Sequence, residues 1–373
     1  MLRTITRGAL LGLYRAGWRG IARPLLFRMD VQTAHARLIR LLAFLDRMPR
    51  PLAAVRKLTA VHSPVTAGGV TLDAPLIVAA GFVKGLGFSD EGAVLAAVAQ
   101  GVNIIPGWAS VPALTGAVEF GSYTRYPRPG NPGRVLWRDA ASRSTQNRVG
   151  LKNPGAEAAA AFLAARRDRM PTVYGINIAV SPGVADAAQE RREAVEAFEA
   201  FVSRGLRPAW FTLNVSCPNT EDDPGAHQTE TRTRDLCAAV RAVTADVPLW
   251  VKVSPDLADE QYRVLLRVFA ETGVRAVVAT NTLGMPSPDA LDLMAGVGGG
   301  QLHGDALRVS RLLAGEIAAY GYPLEVIGCG GALNAAGVHA FAAAGAKAVQ
   351  YYSALVFEGL LAGAVIGHDL RKF

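Results

Sequence analysis

From residue 70 to the end of the chain, short β-branched or aromatic runs alternate with alanine-rich helical stretches. The strand-like runs are residues 76–80, 117–121, 173–178, 210–215, 249–253, 276–280, 324–328 and 348–352. Helical patterns at 156–167, 187–204, 231–244, 260–271, 306–320 and 335–344 separate most of them. Parallel neighbours in a sheet need a long crossover, and a helix supplies it. Eight strands alternating with helices therefore predict an α/β fold, a (β/α)8 TIM barrel. No repeat of 20–50 residues and no Pro/Ser-rich linker interrupts residues 70–373. The expected organisation is one barrel domain, residues 61–373, with a helical segment, residues 1–60, appended in front.

Charge separates the same two parts. The chain carries 39 Lys+Arg against 31 Asp+Glu, a net charge of +8. Residues 1–60 hold twelve of the bases and only two acids, Asp30 and Asp46, so that segment is +10 and the rest is −2. A neutral body with a basic attachment argues against a nucleic-acid surface spread over the protein. Arg3, Arg7, Arg15, Arg19, Arg23 and Arg28 interrupt Leu10, Leu11, Leu13, Tyr14, Trp18, Ile21, Leu25, Leu26 and Phe27. The longest uncharged stretch among them, residues 8–14, is far short of the roughly 20 apolar residues of a membrane span. The pattern reads as an amphipathic helix at a lipid interface, broken at Pro24 and followed by a second helix over 31–45. A cap packed on the body and a cleaved targeting peptide are the competing readings. Three cysteines without zinc-knuckle spacing, and six scattered histidines, predict neither a disulfide framework nor a bound metal.

In such barrels, function sits just past the C-terminal ends of the strands. Those positions are polar here: Ala80-Gly81 and Lys84 after strand one, Asn177 in strand three, and Asn214 to Thr220 after strand four. Lys252 follows in strand five, then Thr280-Asn281-Thr282, Gly330-Gly331 and Tyr352-Ser353, and the loop after strand two carries 147–153. Convergent asparagines can surround a small planar polar molecule with donors and acceptors, whereas a single one is often a loop tether. Lys84 and Lys252 add positive charge suited to anionic groups; the plainer alternative is a salt bridge at the rim. The glycines after strand seven and Tyr352-Ser353 fall where barrels commonly bind phosphate. Cys217 can act as a proton acceptor if its surroundings favour thiolate, or can be an inert buried thiol. Cys237 and Cys329 read as structural.

The ordered set Ala79-Ala80-Gly81-Phe82-x-Lys84, Glu119-x-Gly121-Ser122, Pro129-Gly130-Asn131-Pro132, Asn147-Arg148-x-Gly150, Gly175-Ile176-Asn177-Ile178, Asn214-x-Ser216-x-Pro218-Asn219-Thr220 and Ala279-Thr280-Asn281-Thr282 resembles dihydroorotate dehydrogenase. The run Arg23 to Asp30 followed by Ala34-His35 resembles the membrane-associating hairpin of its quinone-dependent class 2. The resemblance implies an FMN enzyme of pyrimidine biosynthesis that oxidises dihydroorotate and passes electrons to quinone. It implies that Lys84, Asn147, Asn214, Asn219, Asn281 and Thr282 hold the substrate, with backbone groups of Val149, Gly150 and Leu151 on its carboxylate. Ala80, Gly81, Lys84, Ser122, Asn147, Asn177, Asn214, Lys252, Thr280, Gly304, Gly330, Gly331, Tyr352 and Ser353 match FMN positions. His35, Arg134 and Tyr352 match the quinone end, and Cys217 matches the base. The implied location is the membrane surface, through residues 1–60, on the cytoplasmic face of an inner membrane, or the mitochondrial inner membrane in a eukaryote.

Several positions depart from the family. Cys217 stands where class 2 members carry serine and class 1 members carry cysteine. Val83 replaces an aspartate beside Lys84, residues 101–116 look inserted before strand two, and residues 221–225 and 300–304 match only loosely. Two further readings follow: a flavin oxidoreductase with a related dihydropyrimidine-like substrate or a non-quinone acceptor, and a catalytically silent FMN- or pyrimidine-binding scaffold at the membrane.

Overall fold

All eight predicted strands form and close on one another in a computed structural model that describes residues 2–216 and 229–372. The chain opens with helices α1 (Leu2–Gly17), α2 (Arg23–Phe27), α3 (Val31–Leu45) and α4 (Pro49–Thr59), then a hairpin of β1 (Val65–Ala67) and β2 (Val70–Leu72). Next come β3 (Leu76–Val78), α5 (Glu91–Ala99), α6 (Ser110–Thr115), β4 (Ala117–Tyr123), β5 (Leu136–Asp139) and β6 (Ser144–Asn147). Three βα units follow: α7 (Ala156–Ala164), β7 (Tyr174–Ala179), α8 (Ala187–Val202), β8 (Trp210–Asn214), α9 (Glu230–Thr244), β9 (Leu249–Val253) and α10 (Asp259–Glu271). The chain ends with β10 (Ala276–Ala279), β11 (Leu283–Ser287), β12 (Ala290–Gly299), α11 (His303–Tyr320), β13 (Glu325–Cys329), α12 (Ala335–Ala343), β14 (Ala346–Tyr351), α13 (Ser353–Glu358) and α14 (Ala362–Asp369).

The barrel order is β3, β4, β7, β8, β9, β10, β13, β14 and back to β3, all parallel. The β1–β2 hairpin closes the N-terminal end. Trp210 and Trp250 stack inside the barrel with centroids 4.6 Å apart, and Trp250 Nε1 donates to the Gly68 carbonyl at 3.0 Å. Indole burial supplies the apolar area and the hairpin carbonyl satisfies the one polar atom. The opposite end carries an antiparallel sheet in the order β11-β12-β6-β5. The sequence did not predict this sheet. Strand β6 reads Ser-Thr-Gln-Asn and β11 contains Pro286, so pairing rather than propensity makes them strands.

Pro24 does not break the first helix, contrary to expectation. A π-helical turn, Trp18–Ala22, precedes it, and Pro24 falls in the first turn of α2, where its missing N–H costs little. The N-terminal helices are tied to the barrel at several points, two of them buried carboxylates. Arg19 grips the buried Glu358 carboxylate at 2.9 and 3.1 Å, and Arg143 reaches the same carboxylate at 2.6 Å. Tyr14 and Trp18 donate to the carbonyls of Glu358 and Phe357 at 3.0 and 2.9 Å.

The second tie explains the apparent insertion. Asp46, just past α3, is buried and accepts from Asn103 Nδ2, the backbone N–H groups of Gly107, Ala109 and Ser110, and Ser110 Oγ, at 2.8–3.2 Å. A carboxylate with that many donors is a strong, directional anchor. A Cβ at Gly107 would meet Leu42 of α3 and Val83 at 3.4 and 3.7 Å. Residues 103–110 thus form a socket for the end of α3, and Val83 is apolar because that socket covers it.

Candidate active site

Strands β8 and β9 end side by side, with Asn214 opposite Lys252, and β10 follows on the far side of β9. Their ends lock one another. Asn214 Oδ1 accepts from Ser216 N at 3.2 Å and Asn281 Nδ2 at 3.3 Å, while Asn214 Nδ2 donates to Ser122 Oγ at 3.3 Å. The Ser216 hydroxyl proton is shared between Asn214 Oδ1 at 3.1 Å and the Lys252 carbonyl at 3.0 Å. Asn281 Nδ2 also reaches the Ser216 carbonyl at 2.5 Å, and its Oδ1 accepts from Thr282 N at 2.8 Å. Thr280 Oγ1 closes the turn on the Asn281 carbonyl at 2.8 Å. Cys217 and Asn219 lie outside the described residues, as does the 221–225 loop, so the lattice fixes the point from which they depart.

Lys252 is buried, and among the described residues no carboxylate lies within ion-pair range of it. Its Nζ reaches Gln350 Oε1 at 3.4 Å and Cys329 Sγ at 3.6 Å. Cys329 is therefore part of this cluster rather than a remote structural thiol. Burial raises its pKa against the opposing pull of Lys252. Cys237 is buried on α9, and burial pushes its thiol up to about 12.

Strand one delivers its residues through two backbone ties, Gly81 N to Gly121 O at 2.6 Å and Gly121 N to Val83 O at 3.0 Å. At Gly121, with φ +111°, a Cβ would overlap the Asn177 carbonyl, so only glycine lets the two strand ends approach this closely. The peptide groups Gly121–Ser122 and Ala279–Thr280 are cis. The Lys84 charge is felt on α3: His35 is held down to about 4 by burial and then by Lys84 and Lys152. His35 is therefore a neutral imidazole close to two ammonium groups.

Asn147 ends β6 and donates to the Gly296 carbonyl of β12 at 3.4 Å, which assigns it to the upper sheet. Beyond it, Val149, Gly150 and Leu151 form a turn with φ of +67° at Gly150 and +51° at Leu151. Asn131 holds this turn through Asn131 N to Val149 O at 3.1 Å and Asn131 Nδ2 to Arg148 O at 2.8 Å. Side-chain volume at Gly150 would collide with the Asn131 amide.

Ser353, at the start of α13, meets Thr145 Oγ1 at 3.0 Å, and Tyr352 packs edge-on against Phe82 with centroids 5.7 Å apart. Burial pushes the Tyr352 phenol up to about 12. Gly330 and Gly331 follow β13, where the Gly330 carbonyl contacts His303 Nδ1 at 3.0 Å. Gly304 lies in the first turn of α11 with open space beside it. Arg134 stands apart at the rim, half-exposed and paired with Asp289 at 3.5 Å. Ala80 continues strand one into the mouth.

Sequence reasoning passed over Glu119, Ser216, Gln350 and Cys329 as working residues. The signal for Glu119 was present: a carboxylate in the middle of an apolar barrel strand has to be satisfied by something.

Fold and site together define a (β/α)8 barrel whose mouth gathers side-chain amides, hydroxyls and a buried lysine on adjoining strand ends. The family model for dihydroorotate dehydrogenase matches residues 64–373. The chain belongs to that family. It is 34% identical over 350 residues to a protein of Salinispora arenicola named dihydroorotate dehydrogenase (quinone), covering 91% of this chain and 94% of that one. A Roseiflexus protein of the same name is 32% identical over 362 residues, covering 94% and 92%. In fold, the chain superposes on the crystal structure of the Eimeria tenella DHODH in complex with ferulenol with a TM-score of 0.72, at 20% identity and 93% coverage of both chains.

Proposed function

We propose that this protein oxidises dihydroorotate to orotate with FMN as its cofactor and quinone as its electron acceptor. The observation that carries the reading is the lattice of Asn214, Ser216 and Asn281 on adjoining strand ends, with the buried Lys252 opposite Asn214 in register. That constellation offers donors and acceptors in one place, close to a cation with no carboxylate partner among the described residues. The relatives' names support the same reaction.

The residues fit FMN on two observations. Lys252 is a buried cation without an ion-pair partner among the described residues, which suits an anionic ring. Asn177 Oδ1 is buried without a hydrogen-bond partner among the described residues, an acceptor available to a ligand donor. When bound, FMN supplies the hydride acceptor. The chain supplies the rest. Lys84, Asn147, Asn214, Asn219, Asn281 and Thr282 would orient the substrate, and the Gly150–Leu151 turn would take its carboxylate. Cys217 would remove the C5 proton as hydride leaves C6. Lys252 would stabilise negative charge on the ring, a fixed electrostatic effect made strong by the dry barrel interior. Ala80, Gly81, Ser122, Thr280, Gly304, Gly330, Gly331, Tyr352 and Ser353 would hold the remainder of the cofactor. Quinone would enter between the N-terminal helices past His35 and Arg134.

Residues 1–60 act, in this reading, as the membrane-associating unit. Leu13 and Ile21 are 73% and 66% exposed, and Leu25, Leu41 and Phe44 are also exposed on these helices. Apolar side chains among arginines suit the headgroup region of an anionic bilayer. Among the described residues no helix is long and apolar enough to cross it. The location is then peripheral, at the cytoplasmic face of an inner membrane or at the mitochondrial inner membrane.

Purified flavin-loaded protein should bleach when mixed anaerobically with dihydroorotate; a loaded sample that never bleaches removes this substrate. Cys217 favours a second reading in which the acceptor is soluble. Steady-state turnover with quinone against fumarate separates the two, and the docked helices support quinone.

A further inference from the structure

Glu119 of β4 is fully buried inside the barrel, between the Trp210–Trp250 stack and the strand-end cluster. Four side chains donate to its carboxylate. Asn177 Nδ2 meets Oε1 at 2.8 Å; Trp210 Nε1, Thr212 Oγ1 and Gln350 Nε2 meet Oε2 at 2.8, 2.7 and 3.0 Å. Among the described residues no Lys or Arg forms an ion pair with it. A buried carboxylate without an ion pair is costly, and packing alone would favour an apolar residue here.

What the carboxylate does is set the direction of two amides. A side-chain amide has a donor end and an acceptor end. Asn177 and Gln350 both turn their NH2 groups to Glu119, so both oxygens face away from it. Gln350 Oε1 then accepts from Lys252 Nζ at 3.4 Å, and Asn177 Oδ1 is left buried with no partner among the described residues. Glu119 thereby connects the buried cation of the site with an acceptor that has no partner among the described residues.

We propose that Glu119 is a positioning residue for the flavin: through Asn177 it presents an acceptor to a ring N–H, through Gln350 it aims Lys252, and its charge lowers the flavin's midpoint potential. This rests on the flavoenzyme reading above. The substitution Glu119→Gln keeps the shape but replaces one oxygen with a donor. With three donors on Oε2, the new NH2 falls opposite Asn177, whose amide must then flip and offer the flavin a donor instead.

The test uses free FMN as the probe, with fluorescence titration for affinity and an equilibrium redox titration for potential. Glu119→Gln should weaken FMN binding at least about tenfold, the scale of one buried hydrogen bond turned into a mismatch, and should raise the midpoint potential. The double variant Glu119→Gln/Asn177→Asp should restore affinity to within about threefold. In it, the carboxylate introduced at position 177 accepts from the amide introduced at position 119 and again turns an oxygen to the ring. A merely structural role for Glu119 would not be rescued by a change at Asn177. Unchanged affinity and potential in Glu119→Gln, or a double variant that binds no better than the single, overturns the proposal. If Glu119→Gln does not accumulate as folded protein, Gln350→Met cuts the link to Lys252 while leaving Glu119 three donors, and an unchanged potential there overturns it. A wild-type chain that binds no FMN overturns the flavoenzyme reading along with it.

Discussion

The barrel mouth and the N-terminal helices are both organised by buried carboxylates, yet to opposite ends. At the mouth, Glu119 and the Asn214–Ser216–Asn281 lattice bind side chain to side chain across adjacent strands, and what they leave over points inward: the Asn177 oxygen and the Lys252 ammonium. Under the N-terminal helices, Asp46 and Glu358 act as anchors, and part of the helix surface above them faces outward: Leu13, Ile21, Leu25, Leu41 and Phe44. The first arrangement fixes atoms to fractions of an ångström, as chemistry requires. The second fixes where a helix sits and leaves part of its outer face exposed. Substrate oxidation and acceptor reduction should therefore be separable by mutation.

The largest effect is expected at the mouth. Cys217→Ala should slow flavin reduction by dihydroorotate by about 10²–10⁴-fold, the usual worth of a positioned base, while reoxidation of chemically reduced flavin by quinone stays near wild type. Stopped-flow traces of the two half-reactions check this, and equal loss in both would merge the two regions. At the helices, Glu358→Ala should release Arg19 and Arg143 together. Hydrogen bonds between charged groups contribute about 1.5–3 kcal/mol each when well formed, discounted here because both guanidinium groups are partly exposed. Hydrogen exchange should rise in α1 by about tenfold and remain unchanged in β8 and β9.

The smallest effect is a pH dependence. His35 is depressed from 6.5 to about 4 by burial, then by Lys84 and Lys152. Between those values the unfolded chain binds a proton that the folded one does not, so His35 costs nothing above about pH 6.5 and lowers stability progressively as pH falls towards 4. His35→Gln should flatten the fall of Tm over that window. An identical slope in both proteins would mean that His35 is not held buried and uncharged on α3.

The barrel was legible because its signal is periodic. Eight apolar runs at helix-length spacing admit few other closures, and every predicted barrel strand formed within a few residues of its expected bounds. The antiparallel sheet was not legible, because Ser144–Asn147 and Leu283–Ser287 become strands only by pairing with β12. Asn214, Lys252 and Asn281 could be read as site candidates from the strand-end rule, and the structure brings these three together. Glu119 escaped because the same rule looks at strand ends, and its carboxylate lies inside a strand. The role of residues 101–116 was invisible in sequence: Asp46 lies more than fifty residues upstream, and nothing local marks it as the plug for that socket.

The division of labour is tested most directly by Asp46→Ala in a double-mixing experiment. The flavin of one anaerobic sample is first reduced with dihydroorotate and then reoxidised with a long-chain quinone. Loss of the Asp46 anchor should leave the bleaching rate within about twofold of wild type and slow the recovery at least about tenfold, the scale expected when a buried, multiply bonded carboxylate is removed and its donors are left unpaired. Bleaching and recovery slowed by the same factor, or neither slowed at all, would contradict the account.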